Sequence, residues 1–245
     1  MDFRNTVEFS IKGDYALFSD PVTRVGGEKC SYHIPTYEAL KGILHSIYWK
    51  PTLIWYIDEV RIMNRIQTAT QNVRPIKYNE AGNDLSIYTY LRDVHYQVKA
   101  HFDWNFNRPE LEHDRCEHKH HNIAKRMVAH GGRRDVFLGT RECQGYVEPC
   151  IFNDDVGFYD DTPELAFGYM FHGFTYADEA VREAEKGKLT ARFFRPVMKK
   201  GVVSFPLPEE CCERDRRVIR DLPVKVFGEG NFIGITEFLE GCEGY

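Results

Sequence analysis

The stretch RDVHYQVKAHF constrains the fold most. Val94, Tyr96, Val98, Ala100 and Phe102 alternate with Asp93, His95, Gln97, Lys99 and His101. Side chains of a strand point to opposite faces with a period of two, so this segment reads as a β-strand with one dry face and one wet face. A dry face must be covered by another layer. The rest of the chain has to supply that cover.

TYEALKGILHSIYWKP supplies a helix. Thr36 suits its N-terminus and Pro51 stops it running on. Tyr37, Leu40, Ile43, Leu44 and Ile47 share one face and are expected in the core. Tyr48 falls at the final turn, where it is expected half-buried with its hydroxyl in water. Pro109 and Asp114 precede a second helix, expected over 114–130 and ended by Gly131–Gly132. Val7, Phe9 and Ile11 alternate in a first strand, and TLIWYIDEVRIMNRI (52–66) is β-branched and aromatic. Residues 72–84 are turn-rich and read as a loop or lid. RRDVFLGTRECQGYVEP completes the pattern as one strand or a pair.

The order β-α-β-β-α-β predicts an α+β protein with a ferredoxin-like (RRM-like) N-terminal domain over 1–148. AFGYMFHGFTY, RFFRPVM and GVVSFPL predict a smaller β-rich C-terminal region over 149–206. Residues 207–245 hold nine acidic and five basic residues and are expected to form an acidic, weakly ordered tail.

Net charge is −5, which taken alone argues against a nucleic-acid partner, but the distribution is uneven. Between His113 and Arg141 seven basic residues face three acidic ones, a local charge of +4, with five histidines besides. The seven cysteines form no CxxC pair. The opening MDFRNTVEF has no apolar signal-like run, and no apolar stretch approaches the ~20 residues that span a bilayer. A reduced, cytoplasmic protein with free thiols and no membrane partner is expected.

HDRCEHKHH (113–121) packs four histidines, a cysteine and a lysine into nine positions. Three readings compete for it. Cys116 and His120, four apart on a helix, share a face as zinc ligands could, but no known zinc spacing is matched and Arg115 and Lys119 crowd the same turns. General acid–base chemistry on RNA needs less. RNA carries its own nucleophile, the 2′-OH; cleavage then requires a proton acceptor, a proton donor and a cation for the charge building on phosphorus. Histidine serves as either proton partner near neutrality, lysine supplies the charge, and no metal or cofactor is required. The third reading is a polar helix face that happens to hold histidines.

Gly131-Gly132-Arg133-Arg134 could grip phosphates through backbone amides and guanidinium groups, or be a helix C-cap followed by a solvated arginine pair. The Gly26–Gly27 loop, with Arg24 and Lys29, has the same two readings.

GDYALFSDPVTRVGGEKCSY, IPTYEALKGILHSIYWKPT, LSIYTYLRDVHYQVKAHFDWN, KHHNIAKR, GGRRDVFLGTRECQGYVEPC and MFHGF together resemble the CRISPR-associated Cas-five family of subtype I-C, also called the dvulg type. The resemblance runs from about residue 5 to about residue 206. It implies an endoribonuclease that cuts precursor CRISPR RNA within each repeat, at a repeat hairpin, and stays with the mature guide RNA as a subunit of the interference complex in antiviral defence. It also implies a ferredoxin-like domain with a β-rich extension. The family's catalytic tyrosine and Lys-His pair match Tyr48, Lys119 and His120. His120 is then expected to move the proton, more readily as general acid to the 5′-oxygen. Lys119 is expected to stabilise the transition state and Tyr48 to orient the 2′-OH or phosphate. Products would carry a 2′,3′-cyclic phosphate and a 5′-OH.

Arg133 and Arg134 are the first choice for an RNA track, with Arg24, Lys29, Lys50 and Arg141 behind them. The alternative is a non-catalytic subunit that binds the 5′ handle of the guide RNA. Whether duplex DNA also binds is left open.

Overall fold

The computed structural model describes residues 3–78 and 81–224. In chain order its elements are β1 (Thr6–Ala16), β2 (Lys29–Cys30), α1 (Tyr37–Ile47), β3 (Leu53–Ile62), β4 (Thr68–Val73), β5 (Ser86–Trp104), α2 (Glu117–Ala129), β6 (Val136–Phe137) and β7 (Gln144–Pro149). Then follow β8 (Leu165–Ala166), β9 (Met170–Thr175), β10 (Lys188–Phe194), β11 (Val197–Lys199), β12 (Val202–Ser204) and β13 (Arg216–Asp221). The architecture is α+β and mostly antiparallel. The main sheet runs β6-β7-β1-β5-β3-β12-β11-β8, with β2 and β4 paired to the first half of β5. A second sheet has the order β13-β10-β9.

The alternation read from sequence fixes the register. Val7 faces Ala100, Phe9 faces Val98 and Ile11 faces Tyr96 across β1 and β5, while Trp55 faces Phe102 across β3 and β5. These side chains make one face, and α1 and α2 cover it with Leu40, Leu44, Ile47, Ala124 and Val128. Thr36 caps α1 as expected, its side chain accepting from the Ala39 amide at 3.1 Å.

The opposite face is not wet along its whole length. Gln97 and Arg61 are buried there, beneath the segment that follows β7. Gln97 donates to Asp155 at 3.1 Å and accepts from the Asn153 amide at 2.9 Å, and Arg61 donates to Asp160 at 2.7 Å. A covering segment held by side-chain hydrogen bonds needs no apolar stripe beneath it, so periodicity did not reveal it.

The expected boundary between 148 and 149 falls inside β7, one residue before its end, and the main sheet draws strands from both sides of it. β12 pairs with β3, placing Val203 opposite Val60. The tail expected to be weakly ordered from 207 contains β13, antiparallel to β10. Arg216 anchors that strand by reaching the Glu185 carboxylate and the Pro208 carbonyl. The remainder of the expected tail, from 225 on, lies outside the described residues. Among the described residues no helix is long and apolar enough to cross a membrane.

Candidate active site

The HDRCEHKHH cluster is divided by the helix that holds part of it. Residues 109–114 form a 3-10 turn, and α2 starts at Glu117 with Cys116 at its N-cap. Asp114 therefore ends the 3-10 turn and does not open the helix. Successive helical side chains point about 100° apart, so the four histidines go to different places. His113 is exposed, His118 is exposed beside Glu117, and His121 meets the Thr6 carbonyl at 3.0 Å. His120 alone turns inward and is fully buried. Among the described residues no group of three or more His, Cys, Asp or Glu side chains could hold a metal ion.

His120 meets a residue from the far end of α1. Its Nδ1 lies 2.7 Å from the Tyr48 hydroxyl, and its Nε2 lies 2.6 Å from the Asp114 carbonyl. A carbonyl only accepts, so Nε2 carries a proton. In the neutral imidazole Nδ1 is then bare, and Tyr48 donates its O–H to it. Tyr48 is not half-buried with a wet hydroxyl, as its helix-end position suggested; it is 3% exposed. It caps α1 in an extended conformation, φ −157°, with its amide bonded to the Leu44 carbonyl. The Trp55 indole holds its carbonyl at 2.9 Å. Burial, with the Asp114 charge adding to it and Arg133 opposing, pushes the Tyr48 phenol up to about 12.

Lys119 is the member of the trio that solvent reaches, with its side chain half exposed. Its ammonium is bonded to the Asp114 carboxylate. The same carboxylate accepts from Thr52 Oγ1 at 2.8 Å. Partial burial works against ionisation of Asp114, but the bonds from Lys119 and Thr52 and the neighbouring charges outweigh it and hold the carboxyl below its usual range. Sequence reasoning gave Thr52 no part in the site and saw Asp114 only as a residue at the start of the second helix. A Thr directly after the Trp-Lys-Pro helix stop was the only signal available.

Arg133 and Arg134 have exposed side chains, but their backbone amides do not wait for phosphate. They bond the Ser46 carbonyl at 3.2 and 3.1 Å, and Arg133 also reaches the Ile47 carbonyl, so the loop satisfies the C-terminus of α1. Gly131 and Gly132 carry φ of +77° and +112° and close α2, their amides reaching Val128 and Met127. The guanidinium of Arg133 is thereby set close enough to Tyr48 to act on its ionisation. Lys50 is exposed two residues beyond Tyr48.

The other candidates lie elsewhere. Lys29 stacks over Tyr88 at 4.5 Å, beside the loop of Arg24, and Arg141 neighbours Glu142, which bonds Tyr90. Along β5, Tyr88 is separated from Phe102, whose ring lies 6.5 Å from His120, by up to about 45 Å at ~3.3 Å per residue. Only an extended ligand could touch both ends. Near the site the aromatic side chains of Trp49 and Phe106 face outward, the latter under the Arg115 guanidinium at 4.9 Å.

The family profile of the CRISPR-associated protein (Cas_Cas5), in its Cas5d form, matches residues 6–206. The chain belongs to this family. The chain is 27% identical over 234 residues to the CRISPR pre-crRNA endoribonuclease Cas5d of Mannheimia succiniciproducens, an alignment covering 82% of the chain and 95% of that relative. It is 27% identical over 156 residues to the Cas5d of the same description from Thermus thermophilus, covering 58% of the chain and 63% of that relative. Among solved structures, a crystal structure titled as a CRISPR-associated protein aligns with TM-score 0.70 at 37% identity, covering 84% of this chain and 94% of that one. A functionally uncharacterized protein from Streptococcus mutans aligns with TM-score 0.68 at 38% identity and the same coverage.

Proposed function

We propose that this Cas5 protein is a metal-independent endoribonuclease that cuts precursor CRISPR RNA within its repeats. Membership of a family whose curated relatives are named CRISPR pre-crRNA endoribonucleases supports the reading. The single observation that carries the chemistry is the Tyr48–His120 hydrogen bond beside Lys119.

The strand order β7-β1-β5-β3, all antiparallel, with α1 and α2 on one face, supports a ferredoxin-like reading of the N-terminal part. Attack by the RNA 2′-OH releases a proton. Because His120 is buried and its bare Nδ1 faces Tyr48, the proton path runs through Tyr48: the phenol oxygen takes the 2′-OH proton while its own moves to Nδ1. In this reading His120 accepts the 2′-OH proton through Tyr48, as the base, and is not the direct donor to the 5′-oxygen. Lys119 leaves Asp114 to meet the phosphate and balances the charge growing on it. The 2′-oxygen bonds phosphorus, the P–O5′ bond breaks, and the 5′-oxygen takes a proton from solvent or Lys119. The fragments then end in a 2′,3′-cyclic phosphate and a 5′-OH.

Arg133, Arg134 and Lys50 flank the reacting phosphate in this reading, while Arg24, Lys29 and Arg141 serve more distant parts of the RNA. The product guide RNA and the other subunits of the type I-C interference complex are the further partners, in the cytoplasm.

A labelled repeat hairpin, incubated with the protein in excess EDTA, tests this directly. Cutting of the all-ribose RNA, and not of a substrate with one 2′-deoxy sugar at the cut, is expected. Cutting abolished by EDTA would require a metal, and tight binding without cutting would make the protein a handle-binding subunit.

A further inference from the structure

Asp114 touches every member of the trio's network except Tyr48 itself. Its carboxylate is bonded by Lys119 and, at 2.8 Å, by Thr52; its carbonyl fixes the proton on His120 Nε2 at 2.6 Å; and its Oδ2 lies 3.4 Å from that same nitrogen. Thr52 is itself held: it is 1% exposed, and its carbonyl accepts from the Asn105 amide at 2.8 Å. A hydroxyl so fixed can aim a carboxylate. Neither residue lies in the Lys-His motif, and 62 positions separate them in the chain.

We infer that Asp114, aimed by Thr52, is the positioning residue of the cleavage site: it stations Lys119 while RNA is absent and balances His120 when that ring becomes imidazolium. The inference rests on the proton relay proposed above. Its physical logic is an exchange of partners. An RNA phosphate is an anion, so it competes with Asp114 for the Lys119 ammonium. When Lys119 goes to phosphate, the carboxylate loses its cation just as the Tyr48 proton reaches Nδ1. The nearest new cation is the imidazolium, whose Nε2–H already points at the backbone of the same residue. Both charges stay compensated throughout, which matters for an imidazolium formed on a fully buried ring. The proton count is unchanged: Asp114 accepts hydrogen bonds and takes no proton.

Three variants and three readouts test it: Asp114→Asn, Thr52→Val and Thr52→Ser, each assayed for single-turnover cleavage against pH, for hairpin affinity and for melting temperature. Asp114→Asn is expected to slow cleavage about 10- to 100-fold, the scale of a misplaced catalytic group, with affinity within about twofold, because the residue contacts Lys119 and not RNA. The acid limb of its pH–rate profile should move to lower pH, since an imidazolium without its carboxylate gives up its proton more readily. Thr52→Val should lose a smaller part of the rate and Thr52→Ser should recover it.

Wild-type cleavage by Asp114→Asn, or an unmoved pH limb with rate, affinity and melting temperature falling together, overturns the inference. Should Asp114→Asn fail to fold, failure of Thr52→Ser to recover the rate lost by Thr52→Val overturns it equally. Failure of the underlying reading looks different: Lys119→Ala and His120→Ala would then cut like wild type.

Discussion

The Tyr48 hydroxyl lies 2.7 Å from Nδ1 of His120, across 72 positions of sequence. Each residue ends or begins a helix that the sheet brings to the same place. His120→Ala would leave a buried hydroxyl without its partner, which costs about 1–3 kcal/mol. It would also remove the proton acceptor, which typically contributes 10²–10⁴-fold in rate. Single-turnover cleavage should fall on that scale while hairpin affinity, read by filter binding, stays near wild type. Unchanged cleavage in this variant removes His120 from the mechanism.

Ionisation of Tyr48 gives a second prediction. With the phenol pushed up to about 12 by burial first and Asp114 second, the folded protein favours the neutral form. That contribution to stability is complete below the ordinary tyrosine value of about 10 and is lost as pH rises through about 12. Denaturant unfolding of wild type should therefore weaken across that window more than unfolding of Tyr48→Phe. Nor should cleavage show a rising limb between about pH 8 and 10, because no phenolate forms there; such a limb, absent from Tyr48→Phe, would make Tyr48 an ionised base.

Arg133 separates binding from capping. Its amide closes α1 whatever the side chain, so Arg133→Ala should shift stability by no more than about 0.5 kcal/mol. Losing one phosphate contact should weaken hairpin binding and flatten the slope of log K against log salt by about 0.7–0.9. Identical slopes for the two proteins would assign the side chain no part in binding RNA.

Gly132 tests whether the loop must be built as it is. Its φ of +112° suits glycine, and a Cβ there would sit 3.0 Å from the Arg134 carbonyl oxygen. Gly132→Ala should cost about 1–3 kcal/mol and loosen the end of α1 that carries Tyr48. A melting temperature equal to wild type would show the turn to be adaptable.

Much of this was legible before any coordinates. The period-two alternation of β5 and the helical spacing of Leu40, Leu44 and Ile47 are direct records of which side chains face the core. The pairing of Tyr48 with His120 was not legible from periodicity, because it depends on where two helix ends meet in space. Thr52 and Asp114 leave no local pattern at all: a hydroxyl and a carboxylate bonded across 62 residues look like any two polar residues in turns. The burial of Gln97 was hidden for a related reason, since polar atoms can be covered wherever a loop happens to satisfy them.

The pairing of β12 with β3 also sets an order of events during synthesis. β3 leaves the ribosome about 140 residues before Val202, which at ~5–20 residues per second is a wait of roughly 7–28 s. Throughout that interval the Glu59–Arg61 stretch of β3 lacks its β12 neighbour and offers its amides and carbonyls to any other nascent chain. Translation products that stop between the end of α2 and Val202 are therefore expected in the insoluble fraction, even though both helices and every residue of the Tyr48–His120–Lys119 trio have already been made.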